Sequence, residues 1–179
     1  MKRIFILEAL AEFTEKKEIK FKLCGWVDAR RDHGKLIFID LRDKTGTIQL
    51  VFNQENKENW KLAETLRVND VIEIEGELKL RPEKMINPDA PTGKIELETK
   101  NLKILNKSET PPFDISSDGR EIGEEHRLKY RYLDLKRPRL QKNLLARHKI
   151  ENYLREHLTK QGFIEIETPV LTKSTPEGA

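Results

Sequence analysis

The feature that most constrains the fold of this chain is a period-two alternation of apolar and polar residues in its first hundred positions. Residues 19–29 alternate, and the alternation returns in residues 35–42 and 47–52, which a turn at residues 43–46 separates. Successive side chains of a strand point to opposite faces, so this pattern predicts strands with one buried and one solvated face. The short turn between the second and third runs predicts a hairpin.

Two further strands and one helix complete this region. Residues 53–67 lack Gly and Pro and have apolar residues at helical spacing, while residues 71–80 and 95–105 predict strands, the first with a bulge at Gly76. Five strands with a helix between the third and fourth follow the order of the OB-fold, a small barrel that binds oligonucleotides across its second and third strands. Other small barrels also have five strands, and the pattern alone leaves them open.

Composition changes after the last predicted strand and defines the domain organisation. We expect a barrel over residues 1–106, a linker and basic hinge over 107–137, and the start of an α+β domain over 138–179. Residues 110–123 are polar and rich in Pro, Ser, Asp and Gly, which is typical of a linker. The fold class is therefore mainly β, with a partial α+β domain after the barrel.

The second domain is predicted to begin with a long helix. Pro138 stands where a first helical residue is favoured, Gly162 suits the position after a helix end, and residues 163–167 alternate as a strand. Residues 126–149 carry nine Lys or Arg against one acidic residue. This positive stretch suits contact with nucleic-acid phosphates, and a solvated basic helix face explains it equally well.

Composition argues against several classes of protein. Charged residues make up 36% of the chain, and no apolar run approaches the ~18 residues that a membrane span needs. The single cysteine, Cys24, cannot form an internal disulfide, and we expect it to be a buried small side chain in a reducing cytoplasm. One cysteine and four scattered histidines do not make a zinc site, so no bound metal is expected.

Alternation also assigns faces to the second and third predicted strands. Phe38 and Gln49 fall on the outward face of neighbouring strands, where an aromatic ring stacks on a base for ~1–3 kcal/mol and an amide can pair with a base edge. Arg30 and Arg31, at the end of the first strand, are placed to hold phosphates or a base. The alternative is that the linker or the second domain covers Phe38. The inward face receives Ile37, Ile39, Leu41, Ile48, Leu50 and Phe52.

Several segments resemble bacterial aspartyl-tRNA synthetases, which are class II enzymes. Residues 24–43, CGWVDARRDHGKLIFIDLRD, resemble the anticodon-binding barrel, and residues 87–96 resemble the loop before its last strand. Residues 127–138 resemble the hinge, and residues 162–169 resemble motif 1, followed in 171–179 by the loop over the aspartate pocket. Lysyl and asparaginyl enzymes share the barrel and motif 1, but the YLDLKRP hinge and the TPEGA loop favour aspartate.

The resemblance implies specific roles on the barrel. Phe38 is expected to stack on the middle anticodon base, a uridine, and Gln49 to hydrogen-bond that base. Arg30, Arg31 and Glu83 are expected to contact the neighbouring anticodon bases. The implied partner of the barrel is therefore the tRNA for aspartate.

The resemblance also implies roles in the second domain. Glu177 corresponds to the loop glutamate that approaches the amino group of L-aspartate, and Pro169 to the centre of a homodimer interface. Ordinary core packing is the alternative explanation for the apolar residues of this region. The full-length enzyme would be a cytoplasmic ligase that uses ATP and Mg²⁺, and no cofactor is expected on this chain alone.

Motifs 2 and 3, which bind ATP in class II synthetases, do not occur in this sequence. We therefore expect no catalytic residues in it and no aminoacylation by this polypeptide alone. One hypothesis is that it is part of an aspartate–tRNA ligase. The alternatives are a stand-alone tRNA-binding module without catalysis, and a related lysyl or asparaginyl enzyme.

Overall fold

The computed structural model describes residues 2–14, 19–88, 90–171 and 173. The chain divides into two compact units, residues 1–109 and residues 110–179, and each is described by itself.

The first unit is a closed five-stranded barrel. Its strands are β1 (Lys20–Asp32), β2 (Leu36–Arg42), β3 (Thr47–Asn53), β4 (Val71–Leu80) and β5 (Ile95–Asn106). They close in the order β1-β2-β3-β5-β4, and every pairing is antiparallel except the parallel pair of β3 with β5. The OB-fold barrel predicted from the alternation is confirmed.

The barrel core is built from the inward faces that the alternation predicted. The six residues assigned to the inner face of β2 and β3 are all at most 2% exposed. Phe21 and Leu23 of β1 join them, as do Ile72 and Ile74 of β4. Burial of apolar area at roughly 25 cal/mol per Å² is the main force that closes the barrel.

Cys24 departs from its prediction. It is half-buried on the outer face of β1, with its sulfur 3.7 Å from a carboxylate oxygen of Glu73. The inward positions of this part of β1 are Phe21, Leu23 and Gly25, so Cys24 has the wrong parity for the core. Partial burial raises the pKa of the Cys24 thiol.

Two helices belong to the first unit. Helix α1 (Ile6–Glu12), which the sequence did not predict, begins where the backbone N–H of Ile6 donates to Asp43 at 2.8 Å. Helix α2 (Lys57–Thr65) is shorter than the predicted segment because Asn56 caps it, accepting the N–H of Asn59 at 3.1 Å.

The ladders of the described strands contain three register shifts, one of them between Val71 and Ile72 at the start of β4. The register of β4 against β5 shifts between Glu75 and Gly76, so the ladder is irregular where a bulge was predicted, but the extra residue is Lys100 of β5 and not Gly76. A side chain at Gly76 would overlap the carbonyl of Glu98, which explains the need for glycine there. The register of β1 against β2 also shifts, between Val27 and Ala29.

The second unit consists of helices α3 (Glu124–Lys129), α4 (Arg131–Asp134) and α5 (Pro138–Lys160). Pro138 is the first residue of α5, and Gly162 follows its end with a φ of 89°, as predicted for both. No helix in the described ranges is long and apolar enough to cross a membrane.

The segment before α3 is organised around Arg137, which is fully buried. Its guanidinium donates to the carbonyls of Asp114 and Ser117, each at 2.7 Å, and to the carboxylate of Asp134 at 2.8 Å. Gly119, with a φ of 78°, lies against the same guanidinium at a distance that leaves no room for a side chain. The predicted linker is therefore a folded loop over part of its length.

The strand predicted over residues 163–167 is wrong, because these residues belong to no strand and pair with none in the described part of the chain. A strand requires a ladder partner, which alternation alone cannot supply. The segment is largely exposed, with Ile164 at 84%. The fold class is otherwise as predicted.

Candidate nucleic-acid interface

The irregularity in β1 decides which side chains meet on the outer face of the barrel. Beyond it, Arg31 pairs with Phe38, and Phe38 pairs in turn with Val51 of β3. Directly paired residues of an antiparallel ladder point to the same face. Arg31 therefore shares the outer face with Phe38, whereas Arg30 pairs with the inward residue Ile39.

Arg31 is held by a two-pronged ion pair. Its two terminal nitrogens donate to the two carboxylate oxygens of Asp40, each at 2.7 Å. The hydrogen bond to Asp40 raises the pKa of Arg31. Paired contacts of this kind fix the plane of the guanidinium, so Arg31 is presented to the outer face in one orientation.

The amide of Gln49 is also oriented by its neighbours. Its oxygen accepts from Arg31 at 3.4 Å, and its nitrogen donates to Glu96 of β5 at 3.2 Å. Burial raises the pKa of the Glu96 carboxyl, against the opposing effect of Arg81, whose Nε lies 3.8 Å away. An amide has two donors and two lone pairs, so Gln49 retains one of each for a ligand.

Phe38 is half-buried and meets the ring of His33 edge to face, with ring centroids 5.5 Å apart and planes at 75°. His33 belongs to the turn between β1 and β2, where its carbonyl accepts the N–H of Lys35 at 2.9 Å. The contact supports the ring of Phe38 from one edge. An aromatic ring held in this way is suited to stacking.

A groove of about 650 Å³ lies beside these residues. One wall is the outer face of β2 and β3, and the other is the loop between β4 and β5. The side chains that line it are mostly polar: Leu7, Arg31, Asp40, Thr45, Thr47, Gln49, Arg81, Met85, Asn87, Pro91 and Thr92, with Gly46 and Ala90. A cleft of this size with convergent donors and acceptors is suited to a nucleotide.

Three of the five predicted barrel residues, Arg30, Phe38 and Glu83, do not line this groove, although Phe38 is the ladder partner of Arg31, which does. Arg30 donates to the last carbonyls of α2, those of Ala63 and Glu64, which leaves its guanidinium at the helix end. Glu83 is exposed in a short 3₁₀ turn, Glu83–Met85, and does not line the groove. The structure therefore brings together Arg31, Phe38 and Gln49, and leaves Arg30 and Glu83 apart from them.

Sequence reasoning missed three polar members of this cluster, Asp40, Arg81 and Glu96. Asp40 was detectable, because it has the same strand parity as Phe38. Glu96 lies beside Gln49 only because β3 and β5 pair in parallel, at Gln49 opposite Glu96. That pairing is set by barrel closure and leaves no local trace in the sequence.

Two site residues, Pro169 and Glu177, were predicted in the second unit. Pro169 is exposed after the end of α5, and Glu177 lies outside the described residues. Within the described ranges, no group of three or more His, Cys, Asp or Glu side chains is arranged to hold a metal ion.

Comparison with known families identifies both units. Residues 21–105 match the model of an OB-fold nucleic acid binding domain of the tRNA anticodon type. Residues 123–179 match the model of class II tRNA synthetases for D, K and N.

Curated relatives match across both units. The aspartate–tRNA(Asp/Asn) ligase of Halothermothrix orenii is 56% identical over 167 residues, which cover 93% of this chain and 28% of that protein. The ligase of the same name from Endomicrobium trichonymphae is 53% identical over all 179 residues, 30% of its length. The chain thus spans less than a third of the curated relatives that it matches.

Solved structures of aminoacyl-tRNA synthetases superpose on this chain over most of its length. The asparaginyl-tRNA synthetase of Pyrococcus horikoshii, complexed with asparaginyl-adenylate, superposes with a TM-score of 0.77 at 26% identity, covering 99% of this chain and 39% of that one. A putative aspartyl-tRNA synthetase of Leishmania major Friedlin gives a TM-score of 0.80 at 21% identity, covering 94% of this chain and 34% of that one, which supports the fold alone. Both domain-family models match in chain order, and the curated relatives that match across nearly the whole chain carry one name, so this chain is similar to one part of the aspartate–tRNA(Asp/Asn) ligases.

Proposed function

We propose that the barrel binds the anticodon of a tRNA for aspartate, as the recognition part of an aspartate–tRNA ligase. The observation that carries this proposal is the cluster of Arg31, Phe38 and Gln49 on one outer face beside a groove. The cluster combines a ring for stacking, a cation for phosphate or a base, and an amide with free hydrogen-bonding capacity.

The roles come from the resemblance to aspartyl-tRNA synthetases, and the geometry of this face supports those of Phe38, Gln49 and Arg31. Phe38 stacks on the middle anticodon base, a uridine, and Gln49 pairs with the same base through its remaining donor and acceptor. Arg31 contacts a neighbouring base or its phosphate. Arg30 and Glu83 lie farther from the groove, so they require a longer reach by the RNA.

The activity of the whole protein is part of the same proposal. It joins L-aspartate to the terminal ribose of its tRNA with consumption of ATP, in the presence of Mg²⁺. Glu177 holds the amino group of aspartate, and Pro169 lies in the interface of a homodimer.

The exposed apolar residues of α5 support the dimer. Ile150, Tyr153, Leu154 and Leu158 lie on this helix at three- and four-residue spacings and are 47–67% exposed. An apolar stripe of this kind needs a partner surface. Sedimentation measured over a range of concentrations would detect self-association through it.

Binding of the chain to an anticodon stem-loop tests the recognition role. Loss of one stacked base removes ~1–3 kcal/mol, so Phe38→Ala is expected to raise Kd by about 5- to 150-fold. Changing the middle uridine is expected to weaken wild-type binding and to add little to the effect of Phe38→Ala. The matched control is Phe163→Ala, which removes an exposed ring from the second unit and leaves Kd unchanged.

Binding that does not depend on the anticodon bases would contradict the proposal. Weak binding that is the same for both loops and falls steeply with salt would mean that basic side chains touch only phosphates. Such binding, unaffected by Phe38→Ala, would refute the proposed recognition.

A further inference from the structure

A second aromatic side chain lies exposed on the same outer face of the barrel. Trp26 of β1 pairs with Arg42 of β2, and Arg42 has the strand parity of Asp40 and Phe38. Trp26 is 40% exposed, whereas the other tryptophan, Trp60, is 9% exposed in the core. The outer face therefore has an aromatic ring near each end of β2.

Arg42 is held against this ring. Its guanidinium carbon lies 5.8 Å from the centroid of the Trp26 ring, and its Nε donates to Asp28 at 2.8 Å. Among the described residues, the two terminal nitrogens of Arg42 have no hydrogen-bond acceptor. The guanidinium is thus oriented by one contact and retains donors for a ligand.

We propose that Trp26 and Arg42 form a second nucleotide-binding position on the barrel. The ring of Trp26 stacks on the base of an unpaired RNA nucleotide that adjoins the anticodon triplet, and the terminal nitrogens of Arg42 bind the phosphate beside it. This inference rests on the proposed function, because it extends the same RNA-binding face.

The spacing on β2 makes this a separate position. Arg42 lies four positions after Phe38 on β2, which is a distance of about 13 Å at 3.3 Å per residue. One base on Phe38 does not cover that distance, so Trp26 meets a different nucleotide. OB-folds contact about 4–16 nucleotides of a single strand, more than an anticodon triplet supplies.

The chemistry of this position favours RNA over a protein or a lipid. The ring is a single exposed aromatic on a sheet surface, and its immediate neighbours Arg42 and Asp28 are charged. A protein or lipid anchor would need a wider apolar area. A flat ring beside an oriented cation suits a base and its phosphate.

Tryptophan fluorescence gives a direct measurement. An anticodon stem-loop of aspartate tRNA should quench the emission of the wild-type chain, because the base stacks on Trp26. In Trp26→Phe, where only the buried Trp60 emits, the same RNA should leave the emission unchanged while binding persists.

Binding constants test the energetic contribution. Trp26→Ala should raise Kd for the stem-loop by about 5- to 150-fold, and Trp26→Phe should restore most of the affinity. A stem-loop with an abasic nucleotide beside the triplet should bind the wild type more weakly, and Trp26→Ala should add nothing to that loss. Arg42→Ala should also raise Kd, because it removes the donors to the phosphate. The control of equal charge is Lys61→Ala on α2, which should bind as the wild type does.

The outcomes separate this inference from the proposed function. Binding that is sensitive to Phe38→Ala but unaffected by Trp26→Ala, with no quenching, would overturn the second position and leave anticodon recognition intact. Failure of the wild type to distinguish the stem-loop from one with a changed middle uridine would overturn both. Quenching with additive losses from Trp26→Ala and the abasic loop would place another base on the ring and refute the assignment to the flanking nucleotide.

Discussion

Replacement of Arg137 by methionine tests whether the loop before α3 is held by a single buried side chain. Methionine keeps an unbranched apolar stem of similar shape but has no donor. The change removes the donors to the carbonyls of Asp114 and Ser117 and the ion pair with Asp134.

The magnitude follows from the surroundings of Asp134, which is also fully buried. Breaking a buried pair from one side costs about 3–5 kcal/mol, because the remaining charge is left uncompensated. Arg131 at 3.0 Å and Arg127 at 3.7 Å still face Asp134, which favours the lower end of that range. A loss of about 3 kcal/mol raises the open population of the loop by about 100-fold.

Hydrogen exchange read by mass spectrometry measures that population in the full chain. The amides to follow are those of Ser116, Arg120 and Ile122, which are bonded within the loop. The control is Arg139→Ala. Arg139 donates to the carbonyl of Asp118 at 3.1 Å from a more exposed position, so its loss should change exchange by less than about tenfold.

Three results would refute this reasoning. Equal exchange in Arg137→Met and the wild type would mean that the loop is held by its own turns. Equal acceleration in Arg137→Met and Arg139→Ala would mean that burial of the guanidinium contributes nothing. A gain in protection would show that methionine packs better than the ion pair.

Two further predictions concern the barrel. Gly76→Ala should lower the free energy of unfolding by about 1–3 kcal/mol, because the added methyl meets the carbonyl of Glu98, and a urea midpoint that does not move would contradict the close approach. Burial raises the pKa of Glu96 above its ordinary value of 4.5, so the folded chain binds its proton more tightly than the unfolded chain, and this carboxyl lowers stability as pH rises above 4.5. Glu96→Gln does not titrate, so urea midpoints should favour it over the wild type more at pH 7 than at pH 4, and a constant difference would exclude the effect.

The sequence predicted those parts of the fold that local patterns determine. Alternation assigned the inner faces of β2 and β3 correctly, and the ends of α5 followed from Pro138 and Gly162. Elements that depend on distant partners were missed. Helix α1 is held by Asp43, 37 positions from the Ile6 amide that it binds, and nothing near Ile6 indicates this.

The candidate site divides in the same way. Phe38 and Gln49 were placed on the outer face by parity, which is a local property. Arg30 and Arg31 appeared equivalent because the register shift in β1 is invisible to a period-two pattern. The partners of Gln49 and the partner that residues 163–167 lack depend on pairing between strands, which one sequence does not encode locally.

The shift in β1 also has a consequence for how residue roles are transferred between relatives. Without it, regular alternation from Val27 would turn Arg30 toward Phe38 and Arg31 toward the core. The number of residues in β1, and not only their identities, thus determines which arginine lies on the outer face beside Phe38. In an alignment with a relative that lacks the extra residue, a gap placed after Arg31 instead of at Asp28 moves both arginines by one position while the buried residues on either side still match. A high score there is therefore no guarantee of a correct functional correspondence.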